Sequence, residues 1–336
     1  MMKEAISKVV ERIDLTETEA EQAMREIMEG TATSAQIAAL MTALRMKGET
    51  VAEITGAARA MREKAVRIRV DDPNVVDTCG TGGDRRGTFN ISTTVAFVVA
   101  GAGVTVAKHG NRAVSSACGS ADLLKTLGVR IELPPDRVAE IVNEIGIGFL
   151  FAPLFHGAMK HATAPRQETG LRSIFNLLGP LTNPAGASIQ VLGVFAAHLT
   201  KPMAQTLLNL GGRRCFVVHG MDGLDEMTIN GPSRVSEGSG GRVSTYSLDA
   251  KAFGLSEGSP AALAGGDAEA NAAITLAILS GKPGARRDVV LMNAALALVA
   301  VSRAETLADG VAIAAEAIDS GMAQRKLEQL RDLSQR

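Results

Sequence analysis

The chain has 336 residues and a mass of 34.9 kDa, which at roughly 150 residues per domain predicts two domains. A formal charge of -1, no Trp and a single Tyr exclude both a polyanion-binding surface and an aromatic surface on which nucleic-acid bases stack. Three cysteines without a CxxC pair exclude a disulfide framework and a zinc ribbon. The longest apolar run has 13 residues and the charged N-terminus has no signal-peptide pattern, so we expect a cytoplasmic protein without a membrane or nucleic-acid partner.

The first 70 residues predict a helical unit. In a capping box, an N-cap hydroxyl and a Glu or Gln three residues later satisfy each other's backbone N–H groups. This spacing occurs at Thr16/Glu19, Thr33/Gln36 and Thr50/Glu53. Gly30 and Gly48 stand where helix C-caps belong, and apolar residues between these marks recur at helical spacing. We therefore expect an all-helical N-terminal domain over residues 1–70 that serves packing rather than chemistry.

From Asp71 onward the pattern predicts an α/β domain over residues 71–336. Short β-branched runs alternate with helical stretches that end in glycine. Strands are expected around 75–76, 104–106 and 215–218, and crossover helices over 92–102, 120–127 and 135–145. Strand–helix–strand units of this length favour a largely parallel sheet, in which ligands bind beyond the carboxyl ends of the strands.

Three further stretches complete the expected architecture. A helical insertion near 165–185, with its helix over 165–178, is expected to pack back onto the N-terminal helices and make the helical domain discontinuous. The Gly- and Ser-rich stretch 237–266 predicts a loop-rich excursion, and helices over 268–280 and 287–302 are expected to cover the sheet. The predicted fold class is α/β with a smaller all-helical domain, around a mixed, largely parallel central sheet flanked by helices.

The first candidate site is a strand that runs into a glycine-rich loop, VDTCGTGGD, over 76–84. Glycine reaches backbone angles that other residues avoid and places no Cβ before a phosphate, so consecutive amides can form an anion nest. The segment matches neither GxGxxG nor the Walker pattern. Alone, it predicts a diphosphate cradle and an ordinary turn equally well.

Two more polar segments follow, TFNIST over 88–93 and KHGNR over 108–112. The first stands at the expected start of a helix, where free N–H groups and a partial positive charge bind anions. The second follows a strand and brings cations, an amide and the hydroxyls of 115–120 together. Each alone could be a helix cap or a solvated basic loop, but two such loops after strands favour phosphate binding.

The segment 155–172 contains His156, His161 and Arg166. An arginine fork matches a carboxylate with two hydrogen bonds, which makes Arg166 a candidate for binding an acidic substrate. An isolated arginine is more often a salt-bridge partner, and both histidines could be structural.

Acidic residues in HGMDGLDE, over 219–226, follow the strand that ends at 218. Adjacent carboxylates at a strand end suit Mg²⁺, which takes oxygen ligands, keeps several waters and bridges to substrate phosphates. A solvated acidic loop is the commoner role of such a segment alone. Beside two anion-binding loops, the Mg²⁺ interpretation is favoured.

Together the segments closely resemble the anthranilate phosphoribosyltransferase family, enzymes of tryptophan biosynthesis in the nucleoside phosphorylase-like group of phosphoribosyltransferases. The resemblance is carried by DTCGTGGD, TFNIST, KHGNRAVSSACGSADLL, HGAMKHATAPRQETGLRSIFNLLGPLTNP, and HGMDGLDE with TINGP, over about residues 77–232. It implies that 5-phosphoribosyl 1-diphosphate donates its phosphoribosyl group to the amine of anthranilate, with Mg²⁺ as cofactor. It also implies a homodimer formed through helical faces.

The resemblance assigns site residues by matching motif. The donor site is expected to comprise Gly80, Gly83, Asp84, Thr88, Asn90, Ile91, Ser92, Thr93, Lys108, His109, Gly110, Asn111, Arg112, Ala113, Val114, Ser115, Ser116 and Ser120. Anthranilate is expected to meet Gly80, Asn111, His156 and Arg166. Ser92, Asp225 and Glu226 are expected to serve the metal. Arg166 should hold the substrate carboxylate and His109 should orient the amine or the carboxylate; no general base is assigned.

Two alternatives remain open. A pyrimidine-nucleoside phosphorylase shares this architecture but should carry a KxSGR-type pattern where this chain has KHGNR. A non-catalytic, nucleic-acid-binding relative should show a basic groove and lose the anthranilate-facing residues, whereas this chain retains Asn111 and Arg166 at a net charge of -1.

Overall fold

The computed structural model of the chain describes residues 1–113 and 117–336, so the predicted site residues Val114, Ser115 and Ser116 lie outside the described residues. The helices are α1 Met2–Val10, α2 Glu17–Met28, α3 Ser34–Lys47, α4 Val51–Lys64, α5 Ile91–Gly101, α6 Ser120–Thr126, α7 Pro135–Ile145, α8 Ala152–Phe155, α9 Lys160–Thr169, α10 Ile174–Leu178, α11 Thr200–Asn209, α12 Ala268–Leu279, α13 Ala285–Ala300, α14 Leu307–Asp319 and α15 Met322–Ser334. The strands are β1 Val76–Gly80, β2 Val106–Gly110, β3 Ile147–Phe151, β4 Ile189–Gly193, β5 Arg214–Gly220, β6 Ser233–Ser239 and β7 Arg242–Leu248. None of the described helices is long and apolar enough to cross a membrane.

The N-terminal helices begin where the capping boxes predict. All three boxes form, at the starts of α2, α3 and α4. Glu53, which closes the box of α4, is fully buried and also accepts a hydrogen bond from the backbone of Leu15 at 2.9 Å. Its other oxygen pairs with Lys47 at 2.9 Å, and Lys47 reaches Asp14 at 2.6 Å. One capping residue thus ties together the α1–α2 and α3–α4 connections.

The predicted helix over 165–178 is wrong in extent. The helix α9 begins earlier, at Lys160, and ends at Thr169 because Gly170 takes a left-handed φ of 60°. The helix α10 then starts after Ser173, whose backbone N–H donates to Asn176 Oδ1 at 3.0 Å. The helix α9 packs against α2 and α3, and α10 packs against α3 and α4 with its apolar residues in the same hydrophobic core as those of the N-terminal helices.

The strands form one seven-stranded sheet in the order β3-β2-β1-β4-β5-β6-β7. The first five strands are parallel, and β6 and β7 add an antiparallel hairpin at one edge. This confirms the mixed, largely parallel sheet. The prediction of a loop-rich excursion over 237–266 is wrong at its start, where Gly240 and Gly241, both with positive φ, form the turn of the hairpin.

Helices cover both faces of the sheet. On one face, α5, α13 and α15 form a continuous apolar core with β1 to β5. On the other, the N-terminal helices and α11 pack against apolar side chains that include Leu192 and Val217. Because the chain proceeds from β1 to β2 and β3 on one side and returns to β4 and β5 on the other, a crevice opens between the carboxyl ends of β1 and β4.

Candidate active site

The crevice is built around two glycines at the ends of neighbouring strands. Gly80 of β1 and Gly193 of β4 are paired in register, and the Gly193 carbonyl accepts the N–H of Thr81 at 2.9 Å. A Cβ on Gly193 would lie 1.6 Å from the carbonyl oxygen of Asp225, and one on Gly80 would lie 3.0 Å from the Asp225 carboxylate. The missing side chains therefore allow the acidic loop after β5 to close over the strand ends.

The glycine loop after β1 is held from the helical side. Gly82 and Gly83 have φ values of 64° and 80°, left-handed backbone that lets successive N–H groups turn inward as an anion nest. The carbonyl of Gly83 accepts a hydrogen bond from Arg172, whose guanidinium lies 3.9 Å from the ring centroid of Phe195. Arg172 lies between α9 and α10, so it connects the helical segment directly to this loop.

A buried lysine lies behind the start of α5. The Lys108 ammonium donates to the Thr78 carbonyl at 2.5 Å and to Ser92 Oγ at 3.4 Å. Burial lowers the pKa of Lys108, and the charge of Asp77 opposes this shift most strongly. Asp77 in turn accepts from the backbone of His109 at 3.2 Å and from Asn183 at 2.8 Å. The cation is thus fixed between β1, β2 and the first turn of α5.

Three carboxylates gather at the opposite wall of the crevice. Asp84 accepts the backbone N–H of Asp225 at 3.4 Å. Burial, and then the Asp84 carboxylate, raise the pKa of Asp225 to about 7. Burial, and then the charge of Asp225, raise the pKa of Glu226 well above its usual range, against the opposing effects of Lys108 and a backbone hydrogen bond from Ser92. Like charges held this close would be relieved by a bound cation.

The carboxylates of this acidic wall suit the coordination that Mg²⁺ adopts when it is bound together with a phosphate substrate. Among residues 1–113 and 117–336 there is no group of three or more His, Cys, Asp or Glu side chains arranged to hold a metal ion. Mg²⁺ in phosphate-binding enzymes commonly takes one or two carboxylates and completes its shell with water and substrate oxygens. Ser92, Asp225 and Glu226 lie together at the strand ends and supply oxygen donors of that kind.

A pair of neutral histidines lies at the end of β2. The rings of His109 and His156 have centroids 5.1 Å apart. Burial lowers the pKa of His109 to about 3 and that of His156 to about 4. A hydrogen bond to the backbone of Gly179 opposes the shift of His109, and one to the backbone of Thr182 opposes that of His156, because a carbonyl acceptor favours the protonated ring. Both Nε2 atoms are buried and have no hydrogen-bond partner among the described residues. Each Nε2 is therefore an unpaired acceptor inside the described part of the protein, and a ligand can use it only if the surrounding groups move aside.

If the site binds anthranilate, as the resemblance implies, its affinity for anthranilate is expected to stay constant between about pH 5.5 and 8, because both histidines remain neutral until the pH approaches their lowered pKa values. An ordinary histidine would protonate near 6.5. Fluorescence titration of anthranilate across this range checks the expectation. A pH midpoint in the affinity that is absent in His156→Gln would contradict the expectation. A midpoint that is absent in Asp77→Asn would instead reflect titration of the Asp77 carboxyl, whose pKa burial raises to about 6.

The remaining predicted residues are placed as follows. Arg166 lies on α9 with its guanidinium 5.3 Å from the Phe175 ring centroid and makes no ion pair within the described part of the chain. Ser120 Oγ donates to the Asn111 carbonyl at 3.2 Å, next to Gly110. The side chains of Ile91 and Thr93 are buried, so only their backbone can meet a ligand. Arg112 instead pairs with Glu132 at 3.0 Å.

Sequence reasoning missed the residues that hold these groups in place, namely Asp77, Arg172 and Asn183. Asp77 and Asn183 lie 106 residues apart in sequence, and Arg172 and Gly83 lie 89 apart. The only local signal was the TNP turn around Asn183, which predicts a turn and no contact with β1.

Comparison with known proteins agrees with this architecture. Residues 72–324 match the family model described as "Glycosyl transferase family, a/b domain", and residues 3–65 match "Glycosyl transferase family, helical bundle domain". The fold is therefore that of a glycosyltransferase with a helical bundle and an α/β domain. An anthranilate phosphoribosyltransferase from Syntrophobacter fumaroxidans is 60% identical, with 98% of each chain covered, and one from Geobacter sulfurreducens is 58% identical, also with 98% of each covered. The chain belongs to the anthranilate phosphoribosyltransferase family.

Solved structures are similar over the whole chain. The anthranilate phosphoribosyltransferase from Thermus thermophilus superposes with a TM-score of 0.94 at 45% identity, covering 99% of both chains. The Saccharomyces cerevisiae enzyme in complex with PRPP and Mg superposes with a TM-score of 0.90 at 29% identity, covering 99% of this chain and 98% of that one. These similarities favour the transferase over a pyrimidine-nucleoside phosphorylase or a non-catalytic relative.

Proposed function

We propose that the chain transfers the phosphoribosyl group of 5-phosphoribosyl 1-diphosphate to the amine of anthranilate, giving N-(5-phosphoribosyl)anthranilate and diphosphate in tryptophan biosynthesis. The observation that carries the proposal is the crevice between β1 and β4. It joins a glycine loop, a helix N-terminus and an acidic wall at the strand ends, and a neutral histidine pair lies at the end of the adjacent strand β2. The first three suit a metal-bound diphosphate, and the last suits an uncharged amine.

The donor half of the site acts mainly on the leaving group. Displacing diphosphate builds negative charge on it and positive charge on the ribosyl ring, so fixed donors at the diphosphate lower the barrier. The N–H groups of Gly80, Gly83 and the first turn of α5 supply such donors, and Lys108 supplies a fixed positive charge behind them. When bound at Ser92, Asp225 and Glu226, Mg²⁺ would neutralise part of the diphosphate charge.

The acceptor half positions anthranilate. Arg166, which makes no ion pair within residues 1–113 and 117–336, would hold the carboxylate through two charge-assisted hydrogen bonds. If substrate binding exposes the buried Nε2 atoms of His109 and His156, these would accept the two amine N–H bonds and so aim the nitrogen lone pair at the anomeric carbon. The amine of anthranilate is already neutral near pH 7, so no strong base is required. Its proton can leave late, to the departing diphosphate.

The proposal extends to domain organisation and assembly. The helical domain would comprise residues 1–70 with the insertion near 165–185, and the α/β domain residues 71–336. Exposed Val10, Ile13 and Met46 support a homodimer through helical faces, and the Asp14–Lys47 ion pair brings the ends of α1 and α3 together there. We expect a cytoplasmic enzyme with no nucleic-acid partner.

The proposed reaction is tested by the loss of anthranilate fluorescence when 5-phosphoribosyl 1-diphosphate and Mg²⁺ are added. We expect a loss that depends on both additions, that stops with EDTA and that returns when excess Mg²⁺ is restored. Product mass identifies N-(5-phosphoribosyl)anthranilate. A folded protein that leaves the fluorescence unchanged under these conditions would rule out the proposed acceptor.

A further inference from the structure

Two buried asparagines on the C-terminal helices form hydrogen bonds with segments that carry proposed site residues. They are Asn271 on α12 and Asn293 on α13, each 1% exposed. A carboxamide both donates and accepts, so one side chain can bind the N–H and the C=O of a peptide at once. Burial raises the cost of leaving either group unpaired, which makes the observed orientation of each amide strongly preferred.

Asn293 holds the acidic wall. Its Oδ1 accepts the N–H of Met227 at 3.1 Å, and its Nδ2 donates to the carbonyl of the same residue at 3.3 Å. A third hydrogen bond, from Nδ2 to the Val289 carbonyl at 2.8 Å, fixes the amide on its own helix. Met227 directly follows Glu226, so the backbone that carries the two proposed metal ligands is attached to α13.

Asn271 holds the opposite wall. Its Oδ1 accepts the N–H of Gly266 at 2.9 Å, and its Nδ2 donates to Asn90 Oδ1 at 3.1 Å. Asn90 then donates through its own Nδ2 to the Cys118 carbonyl at 3.1 Å. The Asn90 side chain thus joins the start of α5 to the loop that precedes α6, and Asn271 fixes Asn90 from α12, which is distant from both segments in sequence.

We infer that Asn293 and Asn271 are positioning residues, Asn293 for the metal-binding carboxylates at 225–226 and Asn271 for the diphosphate-binding residue Asn90. The inference rests on the proposed function, since it concerns that same site. Neither asparagine belongs to the predicted substrate-binding set, and each acts on one wall only. Partners of this kind, which orient metal ligands, typically change metal affinity or activity by about 10- to 100-fold when removed.

The test compares Asn293→Ala with Asn271→Ala, which serve as matched controls because both asparagines are equally buried on neighbouring helices. Asn293→Ala is expected to raise the Mg²⁺ concentration for half-maximal activity by about 10- to 100-fold. Asn271→Ala is expected to raise the Michaelis constant for 5-phosphoribosyl 1-diphosphate at saturating Mg²⁺ by about tenfold. Each variant should leave the other parameter, and the Michaelis constant for anthranilate, nearly unchanged.

Two further measurements separate positioning from general destabilisation. Calorimetric titration with Mg²⁺ and diphosphate should show the same crossed pattern without turnover. Amide exchange should speed up at 222–232 in Asn293→Ala and at 88–91 in Asn271→Ala, with the rest of the sheet protected as before. If an alanine variant does not fold, Asn293→Asp and Asn271→Asp keep the volume and the Oδ1 acceptor while losing the Nδ2 donor.

The inference is overturned if both parameters change by the same factor in both variants, or if the variants lose stability while both parameters stay as in the wild type. Failure of the proposed function is a different result, in which the wild type forms no product. The calorimetric titration then still decides the inference, because it requires only that Mg²⁺ and diphosphate bind.

Discussion

Arg166→Ala is expected to raise the Michaelis constant for anthranilate by about 10- to 150-fold, the equivalent of losing roughly 1.5 to 3 kcal/mol from a charge-assisted bidentate contact. The structure supports this expectation because the guanidinium is stacked on Phe175 and has no carboxylate partner within the described part of the chain. Burial lowers its pKa, yet an arginine stays charged at neutral pH. A half-buried cation of this kind is ready to bind an anionic ligand.

The measurement is steady-state kinetics with each substrate varied in turn. Lys160→Ala is the matched control, since it removes one positive charge from the exposed first residue of the same helix. It should leave both Michaelis constants unchanged. Equal increases for anthranilate and for the phosphoribosyl donor in Arg166→Ala would refute the assignment of Arg166 to the anthranilate carboxylate.

The double variant Asp225→Asn/Glu226→Gln is expected to lower kcat by about 10²- to 10³-fold, because stabilisation of the leaving diphosphate is the main catalytic contribution proposed for the donor half. Its free energy of unfolding should be maintained or increased. The raised pKa values show that the two carboxylates are disfavoured as anions where they lie, and neutral amides of the same shape remove that repulsion.

Activity and thermal unfolding measured on the same preparation check this prediction. Asp136→Asn/Glu140→Gln makes the same change of charge on the exposed face of α7; it should leave activity unchanged and lower stability only slightly, because it removes the Arg137–Glu140 ion pair and a first-turn acid. A double variant at 225 and 226 that retained activity within about threefold would place the metal elsewhere. One that lost activity and stability together would indicate a folding role for the pair.

Local chemistry made much of the fold predictable. The hydroxyl and carboxamide or carboxylate of each capping box interact across three residues, so Thr16, Thr33 and Thr50 mark helix starts without any tertiary information. The hairpin of β6 and β7 was not predicted from the sequence. Because β7 lies at an open edge of the sheet and is largely exposed, its sequence is mostly polar and does not show the alternation of apolar and polar residues that predicts a strand.

The same distinction applies to the site. Loops that follow strands and carry glycine, hydroxyl or carboxylate residues were visible because each motif is contiguous. The neutral state of His109 and the contact of Arg172 with Gly83 depend on burial and on segments far apart in sequence. The motifs therefore indicated which residues to expect at the site, while tertiary packing determines their protonation and orientation.

Gly193 has a consequence for how this family can diversify. Any side chain at this position would displace the backbone of Asp225, so substitutions of Gly193 should not be tolerated. The half of the crevice assigned to the donor should therefore stay nearly invariant among relatives. On α9, by contrast, the Arg166 guanidinium lies over the Phe175 ring and makes no ion pair within the described part of the chain, so a substitution at this position displaces no backbone comparable to that of Asp225. New acceptor preferences should therefore arise by substitution along α9 and its flanks, and a laboratory search for them would begin there.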